Sequence, residues 1–308
     1  MDLSIPGSTQ TYLNDLNYIQ SQMSKAQEQV SSGLQLQNVS DNPSAVAQIY
    51  EYQAGIASTQ QTQTNLSTAT SEVSAADTAL QSAVQAVETA ISLGTEGASS
   101  TQTAQGNANL AQQVGELQQT LVSVSQTQVN GSYIFSGDQD TQPAYQLDPA
   151  QPEGVQNLLP GDTSTRAILD PNGVPIATAL TAQQIFDAQD GNGNPAAGNV
   201  FNAINSLLTA LQNNNQAAIT QSVSALQSAS GYLNGQLEFY GETANRLQTA
   251  SDLAQKFLTN EQSSLGQVQD ANIPAAALSL TQATTEQQAA LSVEAKIQQL
   301  PTLFSFLG

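Results

Sequence analysis

The chain has 308 residues, 25 acids against 5 bases and a net charge of −20, with neither cysteine nor histidine. A surface this acidic excludes nucleic acid and anionic membranes as partners. The missing residue types remove disulfides, thiol nucleophiles, Cys-bound zinc and the commonest general base.

Length alone suggests about two domains. Leu, Ile, Val and Phe supply roughly a fifth of the residues, close to the level below which a charged chain stays unfolded. Ala, Gln, Ser and Thr dominate instead. Such a composition builds long, thin helical packings that depend on neighbours for part of their burial. No run of about 20 apolar residues spans a bilayer. The start, Met1-Asp2-Leu3-Ser4-Ile5-Pro6-Gly7, has neither the basic nor the apolar region of a cleaved signal peptide.

Residues 1–33 read as a polar lead-in and an amphipathic helix. Tyr12, Leu16, Ile19, Met23, Ala26, Val30 and Gly33 fall at alternating spacings of four and three, a coiled-coil seam. A joint follows. Gly33 suits a helix C-cap, Ser40 or Asp41 an N-cap, and Pro43 a first helical position.

The next helix is predicted over 43–94, about 75 Å long at 1.5 Å per residue. Its seam runs through Leu66, Val73, Leu80, Val84, Val87 and Ile91. Thr59, Gln63, Thr70 and Asp77 stand at seam positions too, as register devices or water-facing groups. A Gly/Ser/Thr loop from Gly94 to Gly106 turns the chain into a third helix over 107–129.

Asn130-Gly131-Ser132-Tyr133-Ile134-Phe135-Ser136-Gly137 reads as a turn, a short β-prone run and a second turn. Between 138 and 199 the chain becomes proline-rich and predicts a small β-rich insert. Asp190-Gly191-Asn192-Gly193-Asn194-Pro195 begins like a calcium loop. Pro195 and Phe201 stand where such a loop needs Gly and Glu, so it reads as a solvated turn.

Residues 200–213 return to helix. A long helix then covers 217–268 on Ile219, Val223, Leu226, Leu233, Leu237, Tyr240, Ala244, Leu247, Ala254 and Leu258. Its length nearly equals that of 43–94, so the two are expected to pair antiparallel. Gly231, Gly235 and Gly241 weaken it and are read as permitting close approach of a neighbouring helix. Asp270-Ala271-Asn272-Ile273-Pro274 is a joint mirroring the first. A last helix, 275–300, ends in an apolar tail of Val293, Ile297, Leu300, Phe304 and Leu307.

These motifs carry a resemblance. Glu28-Gln29-Val30-Ser31-Ser32-Gly33, Leu36 and Ser40-Asp41-Asn42-Pro43 resemble the N-terminal signature of the bacterial flagellin superfamily. Gly131-Ser132-Tyr133-Ile134-Phe135-Ser136-Gly137 and the terminal Leu303-Phe304 are most like the hook–filament junction proteins within it. Gln35 and Asn42 depart from that pattern, which has a basic and an acidic residue there.

The resemblance implies a mainly α fold, with long antiparallel coiled-coil-like helices from the N- and C-terminal halves and a small β-rich insert. Segments 1–40 and 270–308 would form an inner assembly domain, 41–130 and 200–269 a helical rod, and 131–199 an outward-facing insert. It implies a structural adaptor rather than an enzyme, without cofactor, metal or catalytic residues. The expected assembly interface is Leu13, Leu16, Ile19, Met23, Val30, Ile297, Leu300, Phe304 and Leu307. Implied partners are the first hook-associated protein, flagellin, copies of the chain in a ring, and a cytoplasmic export chaperone at the C-terminal helix. The implied location is the extracellular flagellum, reached through the flagellar type III apparatus without a cleaved signal. Two other readings remain: filament flagellin, which shares Thr127-Gln128-Val129-Asn130-Gly131, and an extracellular coiled-coil secretion or adhesion protein.

Overall fold

A computed structural model describes residues 7–36, 42–161 and 164–298. The chain order is α1 (Gly7–Ser32), α2 (Pro43–Gly97), α3 (Ala104–Ser125), β1 (Gln128–Val129), β2 (Ser132–Tyr133), β3 (Tyr145–Leu147), β4 (Val155–Asn157), β5 (Ala167–Leu169), β6 (Pro175–Ala177), α4 (Ala182–Phe186), α5 (Val200–Gln212), α6 (Gln216–Gln269) and α7 (Ile273–Gln298). The class is mainly α, as the periodicity predicts. The insert's β content is three antiparallel hairpins, β1–β2, β3–β4 and β5–β6, with strands of two or three residues. The chain divides into one unit of residues 59–257 and another of 1–58 with 258–308.

In the 59–257 unit α2 and α6 run antiparallel. Gln63 Nε2 donates to Gln255 Oε1 at 3.0 Å, and Gln216 Nε2 to the Gly97 carbonyl at 3.2 Å. The buried column of α2 is Leu66, Ala69, Val73, Ala76, Leu80, Ala83, Val87 and Ala90, large and small residues alternating at spacings of three and four. The seam therefore differs from the sequence reading by half. Leu66, Val73, Leu80 and Val87 hold it, but its second row is alanine. Gln63, Thr70, Asp77, Val84 and Ile91 flank it, half-buried. Alanine rows let helix axes approach, and the flanking positions then pack against the sides of the seam.

Gly94 lies inside α2 rather than at its end, and it serves the same approach. A Cβ there would sit 2.7 Å from Val223 Cγ2 and 3.1 Å from Leu207 Cδ1. At Gly97 a Cβ would sit 2.5 Å from Leu211 Cδ2. By contrast Gly231, Gly235 and Gly241 have nothing within 4 Å of a built Cβ, so no described helix of this chain approaches them closely. Helix α3 begins at Ala104, where Thr103 Oγ1 accepts the Gly106 amide, and ends at Ser125, four residues short of the sequence expectation.

The β1–β2 turn is Asn130-Gly131, both with positive φ (53° and 86°), the conformation a two-residue hairpin requires. Directly after it Ile134 and Phe135 are buried. Phe135 meets Tyr240 of α6 edge-on at 6.4 Å and Phe186 of α4 at 6.0 Å. Phe186 contacts Phe201 of α5 at 5.7 Å, and Phe201 contacts Tyr145 of β3 at 5.1 Å. This aromatic row is the core of the insert and ties it to α6. Arg166 fastens its other side, with Glu72 at 3.4 Å and Asp140 at 3.8 Å.

In the terminal unit α1 and α7 are antiparallel: Tyr12 Oη donates to the Ala290 carbonyl at 3.3 Å, and Leu34 bridges Asp270. Gly33 takes the C-cap with φ of 75°. Ser40 and Asp41 lie outside the described residues. The N-cap of α2 is Asn42, next to Pro43, with its Oδ1 accepting the Ala45 amide at 3.3 Å. Asn272 does the same for α7, accepting the Ala275 amide at 3.1 Å. Asn caps as well as Asp, so both helices keep a capped start.

Candidate assembly interface

Two isolated helices bury little, and α1 with α7 shows it. The side chains fully buried along their contact are Ala26, Ala276 and Ala283. Leu16, Ile19 and Met23 lie half-buried on the same face of α1. Leu13 and Val30, expected beside them, are exposed at 40% and 37%. Val30 leaves the seam because Gln29 takes the position three residues after Ala26. The side chain of Ile297 is not among those described, and Leu300, Phe304 and Leu307 lie outside the described residues.

Further apolar side chains stand open on this unit. Tyr18 of α1, Tyr50 of α2, and Leu278, Leu291 and Val293 of α7 are each at least half exposed. Sequence periodicity passes over Tyr18, Tyr50, Leu278 and Leu291, because they sit out of phase with the inner seam. Their signal is the reverse one, a large apolar residue on an otherwise polar helix face. Apolar side chains spread along two sides of a helix pair suit burial by more than one neighbour.

A second cluster lies in the insert. The Tyr145 hydroxyl donates to Asp187 Oδ2 at 2.6 Å, Gln189 Nε2 donates to the same oxygen at 3.3 Å, and Asn199 Nδ2 to Asp187 Oδ1 at 2.8 Å. Asn199 Nδ2 also reaches Glu153 Oε1 at 3.3 Å. Tyr145, Glu153, Asp187 and Gln189 border an open cavity of about 520 Å³. Burial, then the Asp187 charge, pushes the Glu153 carboxyl up to about 7. Burial and Asp187 hold the Tyr145 hydroxyl far above its ordinary value. Both Asp187 oxygens accept side-chain donors, which hold the carboxylate between β3 and the start of α5.

The 190–195 turn is closed by its own backbone. Asp190 Oδ1 accepts the amides of Asn192 and Asn194 at 2.8 and 2.9 Å, bonds that also lower its carboxyl below the usual range. Asp170 accepts the amides of Asn172 and Val174 in the same way, each at 2.8 Å. Both loops are Asx turns. Among the described residues no three metal-ligating side chains cluster, and no helix is long and apolar enough to cross a membrane.

Residues 6–140 match the family model of the bacterial flagellin N-terminal helical region. That stretch of the chain is similar to the N-terminal helical region of bacterial flagellins. The match spans the Gly33 joint, the long α2 helix, α3 and the Phe135 element.

The fold is similar to that of a flagellar hook-associated protein from Vibrio parahaemolyticus, at 20% identity and a TM-score of 0.64, over 75% of this chain and 100% of that one. It is also similar to flagellar hook-associated protein-3 from Legionella pneumophila, at 15% identity and a TM-score of 0.61, over 71% of this chain and 98% of that one. The junction protein FlgL of the same organism gives 15% identity and a TM-score of 0.56, over 72% and 99% of the two chains. A search of curated proteins finds no match. At these identities the likeness to hook-associated proteins is one of fold.

Proposed function

We propose that this chain is a structural adaptor of the bacterial flagellum, joining the hook to the filament through its terminal helices. The observation that carries this is the α1–α7 pair, whose buried contact is alanine while Leu13, Tyr18, Leu278 and Leu291 face outward. The likeness to hook-associated proteins supports a reading in which that open surface meets the first hook-associated protein on one side, flagellin on the other, and copies of the chain around a ring. In this reading segments 1–40 and 270–308 line the inner assembly, 41–130 with 200–269 forms the rod, and 131–199 faces outward. The interface is Leu13, Leu16, Ile19, Met23 and Val30 with Ile297, Leu300, Phe304 and Leu307. The chain is exported by the flagellar apparatus, its C-terminal helix held beforehand by a cytoplasmic chaperone, and it performs no catalysis.

Filament flagellin is the second reading, favoured by the family model itself. Immunogold labelling of intact flagella with antibody to the insert separates the two. Label confined to the boundary between hook and filament supports the adaptor, and label along the filament supports flagellin.

A further inference from the structure

The cluster around Asp187 joins three neighbouring elements. Glu153 sits on the turn between β3 and β4, Asp187 caps the C-terminus of α4, and Asn199 caps the N-terminus of α5. One amide nitrogen, Asn199 Nδ2, spans both carboxyl groups at 2.8 and 3.3 Å. Its Oδ1 is committed to the Asn202 amide at 2.8 Å, so the side chain cannot turn to serve them differently.

Among the described residues, the titratable groups facing Glu153 are Asp187 and the Tyr145 hydroxyl, and no Lys or Arg lines the cavity. Tyr145 Oη, Gln189 Nε2 and the shorter Asn199 contact all serve Asp187. The side-chain donors therefore gather on Asp187, which leaves Glu153 to carry the proton. Glu153 retains the shared Asn199 contact alone, and two negative charges this close oppose each other.

We infer that one proton shared by Glu153 and Asp187 clasps the 148–154 turn onto α4 and α5, so that the turn docks in acid and loosens in alkali. The proton resides on Glu153 and is donated to Asp187, a bond between carboxyls available only while one of them is neutral. Deprotonation replaces that bond with charge repulsion beneath the turn. The rest of the docking does not titrate: Asn205 Nδ2 donates to the Pro152 carbonyl at 2.8 Å, and Gln118 Nε2 to the Glu153 carbonyl at 3.4 Å. Loosening is thus local, confined to the β3–β4 hairpin, and leaves the helices folded.

The direction follows from proton linkage. The folded chain holds a proton near neutrality that the unfolded chain, with an ordinary carboxyl at 4.5, has already released. The clasp is complete below about 4.5, weakens as pH rises, and is lost above about 7. Glu153 is partly open to water, which screens the interaction, so the effect is about tenfold rather than the several hundredfold of a fully buried group.

Hydrogen exchange on the full chain, corrected for intrinsic rates, tests the clasp. In the wild type, protection of the hairpin amides 145–157 falls about tenfold between pH 5 and pH 8. In Glu153→Gln, which keeps a donor to Asp187 at every pH, protection is flat. Carbon-detected titration of the wild-type carboxyls provides a readout free of substitution, with Glu153 titrating near 7. Flat protection in the wild type, an undiminished pH dependence in Glu153→Gln, or Glu153 titrating below 5 overturns the inference.

Discussion

The amide of Ala271 donates to the carbonyl of Gly33 at 2.8 Å, joining two joints that lie at opposite ends of the chain. The Gln35 amide adds a second bond, to the Gln269 carbonyl, also at 2.8 Å. The break after α1 and the break before α7 are thus one structure, a two-bond bridge built where both helices end. It requires Gly33 at a φ of 75°.

Gly33→Val should break that bridge. A β-branched residue in the left-handed region costs about 1–2 kcal/mol, and the site has open space, so backbone strain is the whole effect. Amide exchange at Gln35 and Ala271 should accelerate, with the 59–257 unit unchanged.

The glycines of the long helices should answer oppositely to substitution. Gly235→Ala fills open space and gains helix propensity, raising stability by about 0.5–1 kcal/mol. Gly94→Val meets Val223 and Leu207 and should cost about 1–3 kcal/mol through overpacking. Urea midpoints of the two variants check both signs.

Phe135 is fully buried between Phe186 and Tyr240. Phe135→Ala should cost about 3–5 kcal/mol and lower the thermal midpoint of the 59–257 unit. Tyr240→Phe is a finer probe: it removes the hydroxyl that accepts the Leu180 amide at 3.1 Å and should cost about 1–3 kcal/mol.

Leu16→Asp should block incorporation into flagella while circular dichroism shows the helical body intact. In the dilute monomer, residues 12–30 should exchange fast, because a pair of helices in contact through alanines orders weakly by itself. Strong protection there, or wild-type incorporation of Leu16→Asp, would count against the terminal helices as the assembly element.

Much of the fold was legible because helices advertise themselves by period. Leu66, Val73, Leu80 and Val87, and Leu226, Leu233 and Leu247, mark their seams openly. The alanine row of Ala69, Ala76, Ala83 and Ala90 was not legible, since alanine is common on every face of a helix and carries no positional signal. Gly94 was read as a terminator because its contact, Val223, is remote in sequence. The same remoteness hid the Phe135–Phe186–Phe201–Tyr145 row and the Glu153–Asp187 pair: local pattern does not show which distant side chains a fold brings together. Leu16, Ile19 and Met23 were legible as one face. Tyr18 and Leu278 were not, because periodicity finds the face that helices bury against each other and passes over apolar side chains on the exposed faces.

The central claim is that this chain joins hook to filament. Deleting its gene in the source organism, with electron microscopy of the cells and an assay of flagellin in the medium, tests it most directly. The account predicts hooks without filaments and flagellin released into the medium. Normal filaments would contradict it, and loss of filaments with no flagellin released would show that the chain is the filament protein itself.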